Sequence, residues 1–158
     1  QHLQKIVDEG HQVVSNQVQY SLIDRRPEIK MAQYCQRQGI HLLAYGTLAG
    51  GLLSDKYLGQ PEPRRAALIT ASLSKYKQMV DAWGGWDLFQ ELLLVLKDIA
   101  NRHEVSVADV AMRYIVDRPI VAGVIVGVRL AVSDHWKTMP GCSGLSLAQR
   151  TCTRSNWC

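Results

Sequence analysis

The chain has 158 residues, of which 47% are hydrophobic and 20% charged, with a formal net charge of +4. That is the composition of about one globular domain, and it excludes a disordered or collagen-like chain. No apolar run approaches the roughly 18 residues that a spanning helix needs, so the sequence predicts a soluble protein with no membrane partner, and the cysteine usage of its body points to the reduced cytoplasm. Lys137, Arg150 and Arg154 follow His135 with no acidic residue among them, so three of the four net charges sit in the tail. The nearly neutral body carries no footprint for nucleic acid.

The elements follow in order. "QHLQKIVDEG" places Leu3, Ile6 and Val7 at helical spacing and ends at Gly10. It lacks an N-cap, so the chain is expected to begin inside a helix, as a fragment would. Val13 to Tyr20 reads as a strand. "RRPEIKMAQYCQRQG" reads as one helix, with Pro27 in its first turn and Gly39 as its stop. "IHLLAY" is a short apolar strand of the kind covered on both faces. A long connection, marked by Pro61 and Pro63, is expected from Gly46 to about Gln78. Leu88 to His103 is a strongly periodic helix. "VSVADVAMRYIVDR" is another, with Ser106 as N-cap and Pro119 beyond its end. "VAGVIVGV" is a third buried strand. Helices alternating with continuous apolar strands predict a parallel α/β structure, but three strands leave two edges open to self-association.

Four cysteines are present. Cys142, Cys152 and Cys158 fall in the tail at spacings that match no zinc or redox motif, and Cys35 reads as a small core residue. The histidines at 2, 11, 41, 103 and 135 form no metal-ligand spacing, so no metal site is predicted. No tyrosine has a lysine four residues on, and neither GxGxxG nor the phosphate-loop GxxxxGK occurs.

One stretch asks for explanation. In "HLLAYGTLAGGLLSDKY" an apolar strand ends on Tyr45 and passes into a loop of very small side chains. An aromatic at a strand end suits a flat ligand, and bare backbone suits a phosphate, which amides reach only where side chains do not intervene. Read alone, Tyr45 is equally a core aromatic, the glycines a plain turn, Lys56 a surface lysine and Gln17 an interior polar residue.

"VVSNQVQYSLIDRRPE", "GIHLLAYGTLAGGLLSDKY", "VSVADVAMRYIVDRP" and "VIVGVR", in that order, resemble the C-terminal half of the aldo-keto reductase family, across residues 1–135. The resemblance implies part of a (β/α)8 TIM barrel, its sixth to eighth strands with their helices. It implies NADPH-dependent reduction of a small aldehyde or ketone, with NADP(H) as cofactor. It casts Tyr45 as the aromatic that stacks on nicotinamide and Gln17 as the glutamine that bonds the carboxamide. Gly46, Leu48 and Gly50 match the pyrophosphate loop, Lys56 the phosphate-pairing lysine, and Gly127 and Arg129 the loop that holds the adenosine phosphate. The family commonly has a serine where this chain has Gly46.

The family's proton-donating tyrosine and its lysine, aspartate and histidine partners belong to earlier strands, so no catalytic residue is assigned here. The isolated chain is expected to be inactive. A second expectation is a non-catalytic, cofactor-binding or regulatory module that pairs with a partner chain.

The resemblance stops near His135. Reading the third base of each codon with the first two of the next permits "LEDNARVF", an amphipathic helix carrying the adenine-reaching asparagine that the family places there. Residues 136–158 are therefore read as a frameshifted tail; the alternative, suggested by its charge of +3, is an evolved cysteine-rich interaction tail. The nucleotide sequence across His135 tests this, and the lack of that out-of-frame match would remove the reading.

Overall fold

Three short strands set the architecture, and the computed structural model describes residues 2–127. β1 (Ser15–Gln19), β2 (His41–Tyr45) and β3 (Val121–Ile125) form a parallel sheet in chain order. Parallel neighbours require crossover connections, which here run through helices. The first crossover holds α2 (Arg26–Ile29) and α3 (Met31–Gln38); α1 (His2–Asp8) precedes β1. The second holds α4 (Ala71–Trp83), α5 (Gly85–His103) and α6 (Val107–Val116).

The helix expected over "RRPEIKMAQYCQRQG" is broken at Lys30, whose φ is −139°. Its two halves answer to different partners. Glu28 of α2 accepts hydrogen bonds from Tyr20 and Arg25, which ties that turn to the end of β1. In α3, Cys35 is fully buried in a cluster with Ile40 and Leu42, as its reading as a core residue anticipated.

The strands were expected to be covered on both faces, and the described residues cover one. Leu42 and Ala44 are fully buried beneath the helices, while Leu43 and Tyr45, pointing the other way, are half-buried. Side chains alternate along a strand, so a sheet with helices on one side gives this period of two.

The larger correction concerns the connection after β2. A 13-residue helix, α4, occupies part of the span read as loop. Its inward positions are Leu73, Tyr76, Lys77 and Val80, and the buried lysine among them breaks the apolar pattern. Lys77 is tolerated inside because Glu62 and Asp81 both accept hydrogen bonds from its ammonium. Thr70 caps the helix by accepting from the Leu73 amide at 3.1 Å.

The main core lies among α4, α5 and α6. Val80, Phe89, Leu93, Ala100, Val107 and Ala111 are all fully buried there. The expected cap of α6 is present as a reciprocal pair: Ser106 Oγ accepts from the Asp109 amide, and Asp109 accepts from the Ser106 amide.

Adjacent leucines on α5 provide a test of this packing. Leu93 is fully buried, whereas Leu94 is 61% exposed. Leu93→Ala is expected to cost about 2–5 kcal/mol, against less than about 0.5 kcal/mol for Leu94→Ala. Urea unfolding midpoints of the two variants check this.

Candidate functional site

The strand register decides which residues can act together. Gln17, Leu43 and Gly123 form one row across the sheet, and Gln19, Tyr45 and Ile125 form the next. Both rows lie on the face opposite the helix-packed residues Leu42 and Ala44, and α4 reaches the second row through Lys75 and Met79. The structure thus brings Gln17 and Tyr45 onto one open face in successive rows. Gln17 is exposed and Ile125 is 43% exposed.

Beyond Tyr45 the chain enters its small-residue loop. The loop is rooted from below by Ala49, Leu52 and Leu53, all fully buried in the main core. Many of its amides are already used internally: Ala49 donates to Gly46, Gly51 and Leu53 to Leu48, and Leu52 to Ala49. Among the described residues, the amides of Gly46, Thr47 and Leu48 donate to no carbonyl.

The glycines have a nearer cause than an approaching ligand. At Gly46, with φ of +68°, an added Cβ would lie 2.1 Å from the Tyr76 hydroxyl. At Gly50, with φ of +66°, it would lie 2.7 Å from the Tyr76 ring. Tyr76 reaches this loop from α4, so the missing side chains make room for a ring of the protein itself. Both positions also require a left-handed backbone, which only glycine adopts readily.

Lys56 lies further on, exposed, in a 3-10 turn at Asp55–Tyr57, its ammonium 5.4 Å from the Tyr57 ring centroid. The turn is firmly held. Asp55 pairs with Lys97 at 2.9 Å and accepts the first amide of α6, from Val107, at 3.0 Å. Burial pushes the Asp55 carboxyl up, but those two bonds outweigh it and hold the group below the usual carboxylate range. Gln90 clamps the following backbone, accepting from the Gly59 amide and donating to the Tyr57 carbonyl. Gly127 is exposed just past β3. Arg129 and the tail 136–158 lie outside the described residues.

Four residues that sequence reasoning passed over complete the rim of this face. Gln19 donates from Nε2 to Asp24 at 2.8 Å, and its Oε1 accepts from Lys75 at 2.6 Å. Asp24, 3% exposed, also accepts two hydrogen bonds from the Arg26 guanidinium at 2.7 Å. Burial raises the Asp24 carboxyl, but the donors from Arg26 and Gln19 outweigh it and hold the pKa low. Burial raises the Tyr76 phenol, and the neighbouring Tyr45 and Asp24 add to that shift. The alternation of "NQVQ" places Gln17 and Gln19 on one face and was a usable signal for Gln19. Lys75 and Tyr76 had none, because their helix was read as loop. Among the described residues, no group of three or more His, Cys, Asp or Glu side chains could hold a metal ion.

Parallel strands joined by helices, with polar and aromatic side chains at the strand ends, define a parallel α/β protein. The profile of the aldo/keto reductase family matches residues 1–132, and the chain belongs to that family. It is 35% identical over 117 residues to flagellar radial spoke protein 5 of Chlamydomonas reinhardtii, covering 73% of this chain and 22% of that protein. It is 30% identical over 127 residues to protein tas of Escherichia coli K12, covering 80% and 34%. Among solved structures, it resembles the glycerol dehydrogenase from Gluconobacter oxydans with a TM-score of 0.72 and 20% identity, over 95% of this chain and 43% of that one. A holo aldo-keto reductase from Bacillus halodurans gives a TM-score of 0.59 at 20% identity, over 95% and 43%. The chain therefore spans less than half the length of each of these four proteins.

The rim generates two predictions. Gly46→Ala sets a Cβ against the Tyr76 ring in a strained backbone, and is expected to cost about 1–3 kcal/mol and loosen α4. Faster amide hydrogen exchange across Ala71–Trp83 checks it. Asp24→Asn is expected to cost about 1–3 kcal/mol near neutral pH, because it weakens bonds to a buried carboxylate. Arg26 is 74% exposed, so the ion pair itself adds little. The folded pKa of Asp24 is depressed, so its contribution is complete above the unfolded value of about 4 and is lost as pH falls below it. The stability gap between the native chain and Asp24→Asn should narrow in acid, as read from denaturant midpoints at several pH values.

Proposed function

We propose that this chain is the cofactor-binding part of an aldo-keto reductase barrel, its three strands being the sixth, seventh and eighth. The observation that carries the reading is the placement of Gln17 and Tyr45 on one open face, beside a loop whose first amides are uncommitted. These residues suit NADP(H). The Tyr45 ring offers a flat surface for nicotinamide, and the exposed Gln17 amide can bond its carboxamide. The amides of Gly46 and Leu48, with the exposed Lys56, suit the phosphates. Gly50 shapes the loop by admitting Tyr76. Gly127 and Arg129 are assigned to the adenosine phosphate. When bound, the nucleotide supplies hydride for reduction of a small aldehyde or ketone.

Neither Tyr20 nor Tyr76 is suited to donate the proton for that step. The Tyr20 phenol is pushed far up, first by burial and then by its 2.6 Å hydrogen bond to Glu28. Tyr76 is raised by burial and packed against glycines. A phenol in these settings holds its proton, and we assign the proton donor to the earlier strands of the family's barrel. We assign the chain to the cytoplasm and expect no activity from it alone.

The open face supports a second reading: a non-catalytic module completed by a partner chain, or by self-association through the sheet edges. A relative named as a flagellar radial spoke protein is consistent with family members serving in assemblies. Fluorescence titration of the chain with NADPH, beside Tyr45→Ala, tests the first reading. Micromolar binding, weakened at least tenfold by the substitution, is expected. A folded chain that ignores NADPH would leave the partner module as the better account.

A further inference from the structure

Two lysines of α4, two positions apart, have opposite electrostatic fates. Lys77 is buried between the carboxylates of Glu62 and Asp81, so its charge is neutralised twice over. Lys75 is exposed, and among the described residues its ammonium pairs with no carboxylate. Its partners are the Gln19 Oε1 at 2.6 Å and the rings of Tyr76 and Tyr45, whose centroids lie at 5.1 and 5.9 Å.

The arrangement around it keeps that charge available. The acid of the network, Asp24, is already matched by Arg26, which donates to both of its oxygens. Asp24 also takes the Gln19 NH2 group, which fixes the amide so that its carbonyl must face Lys75. A neutral carbonyl and two aromatic faces hold an ammonium in place without cancelling its charge. The next residue, Tyr76, packs on Gly46 and Gly50, and the ammonium itself lies 5.9 Å from the ring centroid of Tyr45, the residue before Gly46. There the amides of Gly46, Thr47 and Leu48 donate to no carbonyl among the described residues. Backbone donors beside a held cation are what a multiply charged oxyanion needs.

We propose that Lys75 is a phosphate-binding residue, which together with the amides of the part-exposed Gly46 and Leu48 holds the diphosphate of the dinucleotide. This rests on the nucleotide reading above. It is separate from the role given to Lys56, which stands in a different turn with different anchors. Gln19 is then a positioning residue, and Asp24 orients Gln19.

The test titrates the full 158-residue chain, Lys75→Gln and Lys75→Arg with NADPH and with inorganic pyrophosphate, at low and high ionic strength. Lys75→Gln should bind both probes roughly tenfold more weakly, the loss of one charge-assisted hydrogen bond. It should also show a shallower salt dependence, and Lys75→Arg should restore most of both. A purely structural role would not move the salt dependence. If the native chain binds NADPH and Lys75→Gln matches it in affinity and salt response, the role of Lys75 is overturned and the nucleotide reading stands. Lys75-dependent binding of pyrophosphate without binding of NADPH would keep the anion site and overturn the dinucleotide. A folded chain that binds neither probe would overturn both.

Discussion

The Tyr76 ring laid across Gly46 and Gly50 is the contact on which the rim of the sheet depends. It fixes the distance between α4 and the loop after β2, and both glycines must be bare for the ring to fit. From that seat, the residue before it carries its ammonium to Gln19 and Tyr45, and the residue after it sinks into Glu62 and Asp81. Three consecutive side chains on one helix thus meet a loop, a strand end and a returning segment.

The loop is equally constrained from its other side. Ala49, Leu52 and Leu53 are sunk among Val80, Phe89 and Leu93, while Asp55 joins Lys97 of α5 to the first amide of α6. Packing and charge pairing act here on one short segment, which has little freedom to shift relative to α5. A rigid segment suits a binding role, since a preformed site loses less entropy when its ligand arrives.

Local signals were well expressed in the sequence. Ser106 before an apolar run, Gly39 after one, and "IHLLAY" between turns all gave the right elements, because capping and periodicity act over a few residues. Gln17 and Tyr45 could be paired only by resemblance; their shared face follows from the parallel register, which no local pattern encodes. α4 was missed for a definite reason. Its inward stripe contains Lys77, and a lysine reads as solvent-facing until Glu62, fifteen residues away, is known to meet it. The Gly46 and Gly50 pair was legible as an anomaly, but one of its causes, the Tyr76 ring, was not. The ring that excludes a Cβ there comes from a helix that the sequence had not revealed.

The register shift between β2 and β3 changes how "VAGVI" is to be decoded. Leu42 pairs with Val121 and Leu43 with Gly123, so Ala122 has no counterpart. Strict alternation would put Val121, Gly123 and Ile125 together. The extra residue instead sends Val121 and Val124 to the helices and leaves Gly123 and Ile125 beside Leu43 and Tyr45. A bulge of this kind works as a phase reset in a two-state code. The face on which Gly123, Val124 and Ile125 fall is set by one unpaired alanine.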